Sequence, residues 1–148
     1  MGAPKPYAHQ SILNDPGTRI ALKQAWQDSN PGLMGAHEEG GFIVQDLANQ
    51  MSVIRWPKGL QNSIVVPVHR NCRIGEQDIV ATFHTHPNTR DDFLQEPSET
   101  DQRAVRDDPD LKGAVYVGEF VISQAAIYLI TPIGQVREVD ETQAIFAE

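Results

Sequence analysis

The sequence predicts an α+β protein in which one mixed, strongly curved β-sheet is flanked by two helices. Its apolar residues fall mainly in short runs rich in β-branched residues and bounded by turn-forming residues, which is the pattern of strands joined by turns. Two segments instead carry the start and stop signals of helices. The 148 residues are close to the usual size of one domain, so we expect a single hydrophobic core.

The N-terminal part is predicted to contain an arm and the first helix. Residues 1–14 include prolines and lack periodicity, so they are interpreted as an arm, and residues 15–148 as one domain. Asp15-Pro16 predicts a helix start, and Ser29-Asn30-Pro31-Gly32 predicts its end. The apolar stripe between these signals is predicted to face the core, and it consists of Ile20, Ala21, Ala25 and Trp26.

The remaining chain is predicted to supply the sheet and the second helix. That helix opens at Ser98 and is broken by Asp107-Asp108-Pro109. Turns at Pro57-Lys58-Gly59 and at Gly75-Glu76-Gln77-Asp78 separate strands. The predicted strands cover Gly41 to Val44, Gln50 to Trp56, Asn62 to Val68, Asp78 to Phe83, Ala114 to Ile122, Ala125 to Thr131 and Gly134 to Val139.

A His-x-His pair at the end of one predicted strand is the first feature that indicates a functional site. Residues two apart on a strand point to the same face, so His84 and His86 can share one metal ion. Pro87 removes a backbone donor and should end the strand, which leaves His86 at the strand's exit. Downstream, the S-x-x-D pattern of Ser98 to Asp101 opens a helix and places Asp101 in its first turn.

Two His and one Asp form the ligand set of a catalytic zinc ion, which takes three protein ligands and leaves a position for water. Such a site also needs a general base and a donor to the oxyanion. Ser98 is a candidate donor, and Glu38 and Glu39 are candidate bases at the start of a predicted strand.

Each of these residues also has a simpler interpretation. Ser98 and Asp101 can serve as a helix cap, which is compatible with a ligand role. A His-x-His pair occurs on polar edge strands, and Glu38-Glu39 could be a solvated acidic pair. The site hypothesis is favoured because base, His pair and Ser-x-x-Asp occur in one chain in the required order.

The combination of these motifs resembles the signature of the JAB/MPN+ (JAMM) family of zinc metalloproteases. The resemblance implies a JAB/MPN (cytidine deaminase-like) architecture and an enzyme that cleaves peptide or isopeptide bonds, including those next to ubiquitin-like tails. The roles that it implies are Glu38 as general base, Ser98 as oxyanion stabiliser, and His84, His86 and Asp101 as Zn²⁺ ligands. The strands that carry Glu38 and His84 should therefore be neighbours in the sheet.

The segment between the His pair and Ser98 departs from the family pattern. Eleven residues, Pro87 to Pro97, separate His86 from Ser98, which is more than in the usual form of the signature. A loop tolerates such an insertion at little entropic cost. The segment Asn88 to Glu96 is interpreted either as a lid or specificity wall beside the zinc, or as an exposed loop.

Composition excludes several classes of protein. The formal net charge of −8 and the scattered Lys and Arg residues argue against nucleic-acid binding. No apolar run approaches the roughly 20 residues of a membrane span, and no signal peptide is apparent. The single cysteine, Cys72, cannot form an internal disulfide, which favours a reducing compartment such as the cytoplasm. A module of an exported toxin system is the alternative.

The sequence leaves alternative functions open. The domain could be a non-catalytic protein-binding or scaffold domain of the same fold, or a toxin-system module that acts on a substrate unlike ubiquitin. A purely structural metal site would need a fourth ligand, for which Cys72 or His69 are the candidates. The expected partner is a protein or peptide substrate, and no oligomeric state is predicted.

Overall fold

A computed structural model describes residues 8–89 and 95–147 of the chain, and within these residues it contains four α-helices and seven strands. The α+β class is therefore confirmed. The helices are α1 (His9–Asn14), α2 (Pro16–Asp28), α3 (Glu99–Arg106) and α4 (Thr142–Phe146). The strands are β1 (Gly40–Gln45), β2 (Met51–Arg55), β3 (Arg73–Ile74), β4 (Gln77–Thr85), β5 (Glu119–Ile122), β6 (Ala126–Ile130) and β7 (Val136–Glu141), and a 3₁₀ turn covers Pro109–Leu111.

All seven strands belong to one mixed sheet. Its order is β2-β1-β4-β5-β6-β7, and the short β3 pairs with β4 beside this path. The β4–β5 pair is parallel and the other pairs are antiparallel. A parallel pair needs a crossover connection, and here the crossover contains α3. The strand that carries His84 lies beside β1, as predicted, with Gly40 opposite His84.

Both faces of the sheet are covered, because successive strand residues enter two different apolar clusters. On one face, Ile43 and Phe120 pack with residues of α1, α2 and α4. On the other face, Phe42 and Val121 pack with Val105 of α3. The central strands β1 and β4 are consequently almost fully buried.

The first predicted helix is confirmed, but its buried stripe differs from the prediction. Asp15 caps α2 by accepting a hydrogen bond from the Thr18 backbone N–H. The buried positions are Thr18, Leu22 and Ala25, and Ile20 is 71% exposed. The prediction that Ile20 faces the core is therefore wrong. Residues three or four apart lie on one face of a helix, and the buried face of α2 contains Leu22 and not Ile20.

The prediction of a strand from Asn62 to Val68 is wrong. These residues have no regular secondary structure. Pro67 lacks a backbone donor, and Val65 and Val68 are more than four-fifths exposed, with values of 82% and 85%. Within this segment, Ile64 and Val66 pack inward, against the apolar cluster on the face of the sheet that α3 covers. The segment thus lies over the sheet as an extended cover.

Other boundaries also differ from the sequence predictions. The segment predicted as an arm contains α1, whose Ile12 and Leu13 are fully buried. The predicted strand Ala114 to Ile122 is shorter, since β5 begins at Glu119 after Gly118, whose φ of +128° interrupts the extended backbone. Helix α4 had no sequence prediction. Within Asn88 to Glu96, residues 90–94 lie outside the described residues.

Among the described helices, even the longest, α2 with 13 residues, is too short and too polar to cross a bilayer.

Candidate metal centre

The predicted metal ligands meet at the end of β4. The Nε2 atoms of His84 and His86 are 3.3 Å apart. Asp101, in the first turn of α3, places Oδ1 3.4 Å from His84 Nε2 and Oδ2 3.2 Å from His86 Nε2. The three residues thus offer ligand atoms that all lie within 4.8 Å of one another, and this group could hold a metal ion.

The donor set is of the type that zinc uses in proteins. Two imidazole nitrogens and one carboxylate oxygen are typical of catalytic zinc sites. Ligand atoms at zinc bond lengths of about 2.0 to 2.1 Å and tetrahedral angles lie about 3.3 Å from each other. The separation of 3.3 Å between the two Nε2 atoms matches this value, and Asp101 approaches His84 with Oδ1 at 3.4 Å and His86 with Oδ2 at 3.2 Å.

Asp101 is held in place by the cap of α3. The Ser98 Oγ accepts a hydrogen bond from the Asp101 backbone N–H at 3.1 Å, and Asp101 Oδ2 accepts one from the Ser98 N–H at 2.8 Å. This reciprocal capping box satisfies two donors at the helix start. Burial opposes ionisation of Asp101, but the hydrogen bonds from His84 and His86 outweigh it and hold the pKa of this carboxyl well below its usual range.

The outer nitrogen of each imidazole has its own acceptor. His84 Nδ1 lies 2.8 Å from Glu119 Oε2, and His86 Nδ1 lies 3.1 Å from the Gln95 carbonyl oxygen. Burial alone would lower the pKa of His84, but the charge of Glu119 and the bonds to Asp101 and Glu119 hold this pKa well above its ordinary value.

Glu119 is a site residue that the sequence prediction missed. It begins the otherwise apolar strand Glu119–Ile122, and it is only 6% exposed. A buried acid in an apolar strand costs free energy unless it is paired, so its position in the sequence was a usable sign of function. Its partner His84 could not be inferred, because the parallel pairing of β4 and β5 brings the two together.

The two candidate bases lie in different surroundings. Glu38 lines the cleft beside His86, Ser98 and Asp101, and it is 6% exposed. Burial is the main cause that raises its pKa from 4.5 to about 7.

Glu39, by contrast, is fully engaged in an ion-pair cluster. Its Oε2 is 2.6 Å from His37 Nε2, and its Oε1 accepts a hydrogen bond from Arg55 at 2.6 Å. Arg55 in turn contacts Asp28 at the C-terminal end of α2. Because both Glu39 oxygens are already paired, the geometry favours Glu38 as the candidate base and gives Glu39 a structural role.

Thr85, between the two histidines, anchors the backbone that carries Glu38. Its Oγ1 accepts a hydrogen bond from the Glu39 N–H at 3.0 Å, and its own N–H donates to the Glu39 carbonyl at 2.9 Å. The Thr85 hydroxyl also lies 2.6 Å from Ser29 Oγ, which donates to the Ala25 carbonyl. Glu39, Thr85 and Ser29 therefore form one directed chain of hydrogen bonds from β1 to α2.

Two glycines at the start of β1 allow its close approach to β4. A Cβ at Gly40 would lie 2.5 Å from the Trp56 ring and 2.6 Å from the Phe83 carbonyl. At Gly41 it would lie 2.7 Å from the Phe83 ring. A larger residue at either position would push the Glu38 segment away from the histidines.

The site opens into a cleft composed of two adjoining cavities of about 170 and 270 Å³. Glu38, Asn62, Ser98 and Asp101 line both cavities, and the larger one extends along Ile64 and Val66. The cover segment that was mispredicted as a strand thus forms one wall of the cleft. A bigger groove of about 500 Å³ lies between α2 and α4, and it contains none of these ligands.

The residues considered as a fourth ligand lie elsewhere. Cys72 is 3% exposed in the apolar cluster of α3, and burial raises the pKa of its thiol to about 11. His69 uses Nε2 to bond Asp108 at 2.7 Å and Nδ1 to contact the Pro67 carbonyl. Among the described residues, the group that could hold a metal ion is limited to His84, His86 and Asp101.

Comparison of the chain with protein-family models, with curated proteins and with solved structures found no match.

Proposed function

We propose that this protein is a zinc-dependent hydrolase that cleaves an amide bond, either peptide or isopeptide, as the resemblance to the JAB/MPN+ family implies. The observation that supports it most directly is the meeting of His84, His86 and Asp101, with ligand atoms within 4.8 Å of one another, beside the buried Glu38. Three chain segments far apart in sequence contribute to this arrangement, so a coincidence of local motifs does not account for it.

His84, His86 and Asp101 would hold the ion, which when bound would polarise a carbonyl and lower the pKa of water from 15.7 to roughly 7. Glu38 would accept a proton from the attacking water and later donate it to the leaving amine. A bound dication favours the ionised form of a nearby carboxyl, so Glu38, whose pKa burial raises to about 7 in the metal-free protein, would be ionised beside the ion at neutral pH and able to accept a proton.

Ser98 is suited to stabilise the developing oxyanion. Its Oγ already accepts the Asp101 N–H, which occupies one lone pair and leaves its own hydrogen free to be donated. The residue lines both parts of the cleft, and so its hydroxyl lies on the surface where a substrate carbonyl would bind. Donors held in advance at this position lower the barrier because they need no reorientation during reaction.

The alternative functions have less support. A structural zinc site normally has four protein ligands, and neither Cys72 nor His69 joins the group of three. A scaffold domain does not require a buried acid beside that group, whereas the proposed hydrolysis requires a general base there.

The proposal can be tested with Glu38→Gln. This variant should bind zinc at the parent's stoichiometry, because Glu38 is not a ligand, while cleavage should fall by roughly 10² to 10⁴. The measurements are metal content by mass spectrometry and cleavage of a mixed peptide library and of ubiquitin-like isopeptide conjugates. Glu99→Gln is the matched control, since Glu99 is an exposed acid in the first turn of α3 and should change neither quantity.

Three results would contradict the proposal. Parent-like cleavage by Glu38→Gln would show that the base is wrongly assigned. Zinc content unchanged in His84→Ala would place the metal elsewhere. A zinc-loaded parent that cleaves neither the library nor the conjugates would favour a binding domain.

A further inference from the structure

Glu119 lies outside the ligand group but contacts it through one buried hydrogen bond. Its Oε2 is 2.8 Å from His84 Nδ1, and the side chains of the two residues are only 8% and 4% exposed. The contact is produced by the parallel β4–β5 pairing, in which Glu119 lies opposite Thr82, two residues before His84. It is therefore fixed by two strands in the middle of the sheet.

This bond determines which nitrogen of His84 is available to a metal. A carboxylate can only accept hydrogen bonds, so the ring presents N–H at Nδ1, and the neutral ring that a metal binds then carries its lone pair at Nε2. Nε2 is the atom that faces His86 and Asp101. His86 has the same arrangement, with its Nδ1 on the Gln95 carbonyl and its Nε2 toward Asp101.

The burial of Glu119 is explained if a cation completes the site. A carboxylate that is 6% exposed loses most of its hydration, and one imidazole replaces only part of it. Asp101 and Glu38 add two more carboxyl groups around the same two rings. A dication bound by the rings would balance this concentration of acids.

We propose that Glu119 is a positioning residue of the metal centre, which holds His84 in the tautomer and orientation that direct Nε2 to the ion. The inference rests on the proposed metal site and goes beyond it, since it assigns a role to a residue outside the ligand set. Acceptors of this kind on a ligating histidine typically change metal affinity by roughly 10- to 100-fold.

The test compares zinc affinity of the parent, Glu119→Gln and Glu119→Asp by competition with a chelating dye. The glutamine lacks the charge and can offer the ring either an acceptor or a donor, so affinity should fall roughly 10- to 100-fold. The aspartate keeps the charge but is one methylene too short, and it should also bind more weakly than the parent. Glu99→Gln removes the same charge from the surface near the site without touching a ligand, and its affinity should equal that of the parent.

A second measurement reports the tautomer directly. Long-range ¹H–¹⁵N NMR spectra of the zinc-loaded proteins distinguish the two ring nitrogens of His84. The parent should show N–H at Nδ1 with its proton shifted downfield by the hydrogen bond to the Glu119 carboxylate, and Glu119→Gln should lose this downfield shift. Unfolding with chelator present checks that each variant folds, and if glutamine prevents folding the aspartate variant provides the same comparison.

The outcomes separate this inference from the proposed hydrolase. Parent-like zinc affinity in both Glu119 variants would overturn the positioning role and leave the hydrolase proposal intact. The expected loss of affinity, together with a zinc-loaded parent that cleaves no amide, would support the positioning role and overturn the hydrolase. Zinc affinity of the parent no greater than that of His84→Ala would overturn both.

Discussion

Glu38 is an acid in surroundings that oppose its charge. Burial is the largest cause of its raised pKa, and the Asp101 and Glu119 carboxylates also raise it, whereas His84 and His86 lower it. The folded protein therefore retains a proton on Glu38 up to about pH 7, whereas the ordinary value is 4.5. Stability favours a neutral side chain at this position, whereas the proposed catalysis requires an ionisable one.

This opposition predicts that Glu38→Gln stabilises the metal-free protein, and more so at pH 8 than at pH 5. A raised folded-state pKa contributes stability that is fully present below pH 4.5 and is lost as the pH rises through about 7. Glutamine does not ionise and escapes that loss, which amounts to about 3 kcal/mol because the pKa rises from 4.5 to about 7 and one pKa unit corresponds to about 1.4 kcal/mol. Urea unfolding with chelator at the two pH values measures the difference.

The exposed acid Glu99 is again the control, because its substitution by glutamine should produce no comparable change between the two pH values. Equal effects of Glu38→Gln at pH 5 and pH 8 would mean that the Glu38 carboxyl is not desolvated in the folded protein.

At the level of single elements, the pairing of β1 with β4 decides where Glu38 lies relative to His84 and His86. Thr85 points away from the neighbouring histidines and accepts the Glu39 N–H, so one strand presents the two imidazoles on one face and an anchor on the other. The hydrogen bonds continue from the Thr85 hydroxyl through Ser29 to the Ala25 carbonyl, and they fix the C-terminal end of α2 to β4 at Thr85.

Thr85→Val should destabilise the protein by about 1 to 3 kcal/mol, since it keeps the side-chain shape but leaves the buried Glu39 N–H without its acceptor. Thr85→Ser keeps the hydroxyl and should recover most of that loss. The free energy of unfolding, measured in urea, is the appropriate quantity. A valine variant as stable as the parent would show that another acceptor replaces Thr85.

Elements defined by local chemistry were predictable from the sequence, and those defined by tertiary contacts were not. The start of α3 depends on Ser98 and Asp101 only three residues apart, and the start of α2 on Asp15 and Thr18. Whether the β-branched run Asn62 to Val68 pairs with a sheet edge depends on neighbours that the run itself does not specify. Helices α1 and α4 are too short to be stable in isolation and form because their apolar residues pack on the sheet.

The same distinction applies to the candidate site. The ligand types and their order along the chain restricted the candidates to His84, His86 and Asp101, which the structure brings together. The choice between Glu38 and Glu39 required knowledge of Arg55 on the neighbouring strand, which pairs with Glu39. Adjacent acids at a strand entrance have similar sequence environments, and their three-dimensional surroundings make them different.

For the molecule as a whole, the hydrophobic core is complete without the metal. Apolar clusters cover both faces of the sheet, and the ligands lie at one end of β4, beside a cleft. A protein built in this way does not need the ion in order to fold, in contrast to a small zinc-stabilised domain.

Chelation should therefore leave the fold intact and lower only its stability. Zinc at about 100 times its dissociation constant should add about 2.7 kcal/mol, which corresponds to a rise in melting temperature of roughly 5 to 10 °C for a chain of this size. Circular dichroism with and without chelator measures both the fold and the melting temperature. Loss of the far-ultraviolet signal at 25 °C on chelation would instead indicate a structural metal.

One oxygen of Asp101 has two contacts, because Oδ2 faces His86 and also accepts the Ser98 N–H in the capping box of α3. Selection on the helix cap alone would therefore preserve this carboxylate. A descendant that abandoned the metal would still be selected to retain Asp or Asn there, to avoid loosening its helix. In such a lineage, the imidazoles would disappear before the aspartate, and a surviving aspartate alone would be a poor indicator of an active enzyme.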